Sequence, residues 1–135
     1  ASARKDESIA QDVKALLTLA HNENKLIISL CHGPASLIAP TQVLKDAKDY
    51  IFDGYEIVVF PDCLDESINI EIGYIPGQLP FLIEQELKGF NIKVLNTSIS
   101  GQIHQHKELL TGDSPLASNA IGKAAVKYLL DKYNQ

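Results

Sequence analysis

Cys31 stands in the run Ser29-Leu30-Cys31-His32-Gly33, directly after the apolar stretch Lys25–Leu30 (KLIISL) and just before Pro34. A nucleophile held on a tight strand-to-helix turn needs small residues two before and two after it, so that the turn closes without collision. Ser29 and Gly33 meet that demand, and Pro34 suits the first turn of a helix. The spacing predicts a nucleophile elbow with Cys31 at its apex. A helix start beneath the sulfur favours thiolate over thiol, and the His32 backbone N–H supplies half of an oxyanion hole. The His32 imidazole is a proton shuttle near neutral pH. An acid must then hold its tautomer, and Asp62, Asp65 and Glu66 follow the next apolar run; the plainer reading of each is a solvated loop carboxylate.

Other polar residues have competing readings. His104, His106 and Glu108 in HQHKE resemble the His-x-Glu of class I glutamine amidotransferases, which also use a cysteine elbow, but a polar hairpin is the simpler account. Asp113 and Ser114 read as a helix cap, and His21 as a partner for the C-terminal dipole of the first helix. Gly73, Pro76 and Gly77 read as turn formers, with Tyr74 beside them as a pocket residue. Cys63 lacks any comparable pattern, and neither cysteine belongs to a CxxC pair, so no structural zinc site is signalled.

These residues need a frame. Ile9, Val13, Leu16, Leu17 and Ala20 recur at helical spacing over Ser8–Ala20. Lys25–Leu30 reads as a buried parallel strand, followed by a short helix from Pro34 through Ile38 that Pro40 ends. Tyr55–Phe60 is the next strand, Asp62–Pro80 a loop system, Phe81–Lys88 a helix closed by Gly89, and Asn91–Leu95 a strand. A short strand pair fits Gln102–Leu110. The last helix starts from Ser114 and Pro115, with Leu116, Ala120, Ala124, Tyr128 and Leu129 as its apolar stripe. The alternation predicts an α/β fold with a parallel sheet covered on both faces. Only three clear strands occur where a doubly wound sheet has five or more, so part of the sheet is missing.

The 135 residues, 45% hydrophobic and 21% charged, make one domain at most. A net charge of -5 opposes any sequence-independent grip on nucleic-acid backbones or anionic membranes. The longest apolar runs are too short to span a bilayer, and ASARKDES lacks a signal peptide's apolar stretch, so the default location is cytoplasmic.

The segments KLIISLCHGPASLI, FPDCLDESINIEIGYIPGQLP and KELLTGDSPLASNAIGKAA resemble the HchA-type chaperone and glyoxalase branch of the PfpI superfamily, over nearly the whole chain. The resemblance implies a flavodoxin-like three-layer sandwich in a chain roughly twice as long, with residues 1–135 a single partial domain, its C-terminal portion. By position, the family's triad falls on Cys31, His32 and Asp65. The supporting glutamate, the second oxyanion donors and a two-histidine-one-carboxylate metal site lie upstream, so no metal ligand is assigned in this chain; zinc or another divalent metal belongs to the absent half. The implied activity is a cofactor-free, glutathione-independent conversion of 2-oxoaldehydes such as methylglyoxal to hydroxy acids, or protein deglycation, through the cysteine. A holdase that captures unfolded client proteins, a glutamine amidotransferase-like hydrolase and a peptidase are the alternatives. The implied partners are the N-terminal fragment of the same protein and a second copy in a homodimer.

Overall fold

The computed structural model describes residues 6–134. Helix α1 (Glu7–Asn22) starts where Asp6 accepts the N–H groups of Ser8 and Ile9. It leads through a turn to β1 (Ile27–Leu30), which ends at Cys31. A 3₁₀ helix, Gly33–Gln42, follows and runs on past Pro40; a second, Ala47–Asp49, precedes β2 (Glu56–Ile57). The segment expected to be loop holds two single-turn helices, α2 (Asp62–Asp65) and α3 (Ile68–Glu71). Then come α4 (Ile83–Gly89), β3 (Lys93–Val94), the hairpin β4 (Ile103–His106) and β5 (Leu109–Gly112), a 3₁₀ turn at Pro115–Ala117, and α5 (Ser118–Tyr133).

The strands form two sheets. One has the order β1-β5-β4, with β1 parallel to β5 and β4 antiparallel to it; the other is the parallel pair β2-β3. The expected parallel pairing is present in β1-β5 and β2-β3, and the expected short strand pair is a hairpin that adds β4 as an antiparallel edge. β5 is buried along its whole length, and its alternating side chains serve two cores. Leu109 packs with Leu37, Phe52, Tyr55, Ile57 and Leu87 on one face, while Leu110 packs with Ile121 and Ala125 of α5 on the other.

Burial corrects three expectations. On α5 the buried positions are Ile121 and Ala125, preceded by Ala117, whereas Leu116 and Leu129 are exposed. Gly112 explains the choice of small residues: a Cβ there would lie 2.7 Å from Leu30 Cδ1 and 2.9 Å from Ala117 Cβ, so helix and strand approach closely. On α1, Ala10 and Leu17 are buried and Leu16 is 68% exposed. Ile28, in the strand expected to be covered on both faces, is 51% exposed among the described residues. No helix of the described residues is long and apolar enough to cross a membrane.

Candidate active site

Cys31 leaves β1 with φ +61°, a left-handed conformation rare for a residue with a side chain. Two backbone bonds hold it there: its N–H donates to the Gly112 carbonyl at 2.8 Å, and its own carbonyl accepts the Phe60 N–H at 3.0 Å. Gly33 and Ser29 face each other across the turn, since a Cβ on Gly33 would meet Ser29 Oγ at 2.7 Å. Small residues at both positions let this turn close without displacing the Ser29 hydroxyl, and the backbone follows the strand-to-helix turn that the sequence predicts.

Beyond the apex, His32 Nδ1 lies 3.2 Å from Cys31 Sγ. His32 Nε2 lies 2.6 Å from Asp65 Oδ2, and Asn69 Nδ2 donates to Asp65 Oδ1 at 2.7 Å. The imidazole stacks on Phe60, with ring centroids 4.6 Å apart. With the carboxylate as acceptor, the ring proton sits on Nε2 and the Nδ1 lone pair faces the sulfur. This is the tautomer a base for the thiol requires. Asp62 and Glu66 do not join this chain of contacts. Asp62 accepts the N–H groups of Glu84 and Gln85 at the start of α4, and Glu66 is exposed at the end of α2.

The acidity of Cys31 departs from expectation. Burial pushes the thiol up; the His32 N–H opposes that rise, and the charges of Asp65 and Asp113 add to it. The element under the sulfur is a 3₁₀ helix rather than an α-helix. Attack by Cys31 in this setting needs a base to take the proton.

The remaining polar residues sit elsewhere. His106 pairs across the hairpin with Leu109, which pairs with Ile27, four residues before Cys31, or about 13 Å along the strand. The glutamine amidotransferase-like arrangement of His104, His106 and Glu108 with the elbow therefore does not form. Glu108 is almost fully buried and binds His21 Nδ1 at 2.6 Å and the Tyr55 hydroxyl at 3.0 Å. His21 lies in the last turn of α1, where a dipole partner belongs, and also ties the helix to the hairpin; the C-cap is Glu23. Burial alone would raise Glu108, but the bonds from His21 and Tyr55 outweigh it and hold the carboxyl below its ordinary range. Asp113 is not a helix cap either: it accepts the N–H groups of Ser100, Gly101 and Gln102 and the Ser114 hydroxyl. Tyr74 is 74% exposed and Cys63 is exposed. One group among the described residues has metal-ligand character, Glu56 with His104 and His106, whose ligand atoms lie within 4.8 Å of one another.

The chain matches no family model. Its fold is flavodoxin-like α/β. By sequence it is similar to the HchA-type branch of the PfpI-like proteins. Over 124 residues it is 52% identical to the protein/nucleic acid deglycase HchA of Pseudomonas aeruginosa strain UCBPP-PA14, covering 92% of this chain and 42% of that protein. It is 44% identical to the HchA deglycase of Staphylococcus aureus strain bovine RF122 / ET3-1, covering 92% of this chain and 41% of the relative. The chain thus spans less than half the length of these curated relatives. Among solved structures, Rapid Encystment Protein 24 kDa of Francisella tularensis aligns with a TM-score of 0.68 at 19% identity, over 84% of this chain and 47% of that one. Glyoxalase III of Candida albicans aligns with a TM-score of 0.60 at 17% identity, over 87% and 48% respectively. At these identities the structural likenesses speak to the fold.

Proposed function

We propose that this chain carries the nucleophile of a cofactor-free, glutathione-independent enzyme acting on 2-oxoaldehydes or on the glycated groups they form. The observation that supports this reading is the line Cys31 Sγ, His32 Nδ1, His32 Nε2, Asp65 Oδ2, with spacings of 3.2 and 2.6 Å. His32 takes the thiol proton as sulfur attacks the aldehyde carbon, giving a hemithioacetal. His32 then moves a proton from that carbon to its neighbour through an enediol, leaving a thioester of the hydroxy acid. Water hydrolyses the thioester and restores the thiol, so methylglyoxal plus water gives lactate. Asp65 keeps the imidazole in the receiving tautomer and stabilises the imidazolium. The His32 backbone N–H, which lies toward the sulfur, is a donor for the developing oxyanion.

The HchA relatives are named protein/nucleic acid deglycases, which supports extending the same thiol attack to aldehyde adducts on amines. The test is lactate formation from methylglyoxal, and release of amine from a glycated peptide, by the complete polypeptide and its Cys31→Ser variant. Loss of both activities supports the reading; equal rates would remove the cysteine from the mechanism.

The rest of the site is supplied by the remainder of the polypeptide, its N-terminal half. The exposed apolar side chains Leu16, Leu19, Ile28 and Leu95 support this, because scattered single residues are ordinary but an uncovered strand face is not. Intact-mass measurement of folded, active material tests it. A single species of 14.8 kDa would sink it. Suppression of client aggregation that survives Cys31→Ser would add a holdase role on the same apolar residues.

A further inference from the structure

Alternation along β4 puts His104 and His106 on one face, and their pairing with Thr111 and Leu109 turns that face toward β2. Glu56 opens β2. Its carboxylate is divided between two neighbours: Oε1 lies 3.7 Å from Lys93 Nζ and Oε2 lies 3.7 Å from His104 Nε2. The Glu56 N–H donates to His106 Nδ1 at 3.2 Å, and the His106 ring is stacked on Tyr55 with centroids 4.7 Å apart. The three residues are half-buried, and one ligand atom from each lies within 4.8 Å of the others.

We propose that Glu56, His104 and His106 bind a divalent transition-metal ion of the zinc type, which clamps the β2-β3 pair to the β4 edge of the three-stranded sheet. Two imidazoles with one carboxylate suit zinc, cobalt, nickel and copper, whereas magnesium and calcium prefer sets made wholly of oxygen. A tetrahedral ion with bonds of about 2.1 Å places its donors about 3.4 Å apart. The contraction from the present spacing is small, and the partly exposed Glu56 side chain reaches it by rotation. Three protein donors leave the fourth position to water.

The surroundings fit this assignment. Lys93 holds the outer carboxylate oxygen and leaves the inner one for the ion, as partners behind a metal ligand do. The His106 lone pair already points toward Glu56; coordination exchanges the 3.2 Å bond for the ion and leaves the Glu56 N–H to water. The clamp also has a structural role to fill. Among the described residues no ladder joins the two sheets; the run from Glu56 to Phe60 is held by separate bonds from Glu56, Val58, Val59 and Phe60 to His106, Thr111, Asn96 and Cys31. By strand register the site is remote from the thiol, so the ion takes no part in the cysteine chemistry.

The test is zinc titration of the complete, tag-free polypeptide by equilibrium dialysis with metal analysis, comparing wild type with the His104→Gln/His106→Gln double variant. Wild type is expected to bind one more equivalent, to show the visible absorption of tetrahedral cobalt at that site, and to gain thermal stability with zinc that the variant does not gain. Lys93→Gln should keep the extra equivalent. Equal stoichiometry in wild type and a folded variant would overturn the proposal. Should circular dichroism show the double variant unfolded, Glu56→Gln replaces it, with an affinity loss of roughly tenfold or more expected and unchanged affinity counting against the site.

Discussion

Asp65 Oδ2 lies 2.6 Å from His32 Nε2 across 33 residues of sequence, with the carboxylate side chain 2% exposed and the imidazole 38% exposed. The carboxylate is held from behind by Asn69, while the imidazole keeps an open edge beside the sulfur. Such a pairing sets orientation at the buried end and leaves chemistry to the accessible end. Both partners are placed by the run from Tyr55 to Asp65, whose Phe60 supports the imidazole and whose α2 carries the acid.

Asp65→Asn separates two effects of this carboxylate. The amide no longer holds the proton on Nε2, so turnover of the complete enzyme is expected to fall by about 10²–10⁴-fold. Burial remains the main cause of the raised Cys31 thiol, but the Asp65 charge adds to it. Removing that charge lowers the thiol, so iodoacetamide alkylation of Cys31 should reach half its maximal rate at a lower pH than in wild type. A variant that is slower in turnover yet faster to alkylate is the expected pair of results. An alkylation profile that stays in place or moves upward defeats the charge argument.

The left-handed backbone at Cys31 makes a second prediction, read by urea unfolding. In regular structure Gly is less stable than Ala, but at φ +61° the order reverses because the side chain is what costs energy. Cys31→Gly is expected to be more stable than Cys31→Ala by about 1 kcal/mol. If the alanine variant is the more stable, the turn is not strained.

How legible these features were depended on their range. The elbow is written in five consecutive residues, because Ser29 and Gly33 touch across a local turn. The strand before it and the hairpin after Gln102 follow local hydrophobic pattern and turn chemistry. His21 and Glu108 are 87 residues apart, and nothing in either neighbourhood announces the other. Asp113 preceded a Ser-Pro pair that matches a helix start, so local capping logic captured it, while its real partners lie in the loop 100–102. The apolar stripe Leu116, Ala120 and Ala124 runs one residue ahead of the buried Ala117, Ile121 and Ala125; both sets have helical spacing, and only contact with the sheet, which local sequence does not show, selects the second. The helix start after Cys31 is visible in the sequence, whereas the burial that raises its thiol is not.

Glu108 links the fold to acid. Its carboxyl is held below the ordinary value by His21 and Tyr55 despite burial. A depressed folded value contributes stability that is present above the unfolded value, about 4.3, and is lost as pH falls toward the folded one. Glu108→Gln should therefore lower stability at neutral pH and flatten its decline below about pH 5. Urea midpoints across pH 7 to 3 measure this, and parallel curves for the two proteins would refute it.

Asp113 makes the same argument with a different partner set. Burial would raise this carboxyl, but the N–H of Ser100, the Ser114 hydroxyl and the N–H groups of Gln102 and Gly101 bring it below its ordinary value. The bonds fold the loop ahead of β4 around one fully buried side chain. Asp113→Asn keeps a single acceptor oxygen and brings a donor that faces other donors, so a loss of about 2 kcal/mol is expected at pH 7. The sign again follows from the lowered value: the deficit should shrink as pH falls through it, since wild type then loses the same charge. Asp113 follows Gly112, whose carbonyl accepts the Cys31 N–H, so a loosened loop should also reach the elbow. Hydrogen exchange at the Gln102 and Cys31 amides should then accelerate together in the variant, and acceleration at Gln102 alone would show that loop and elbow are independent.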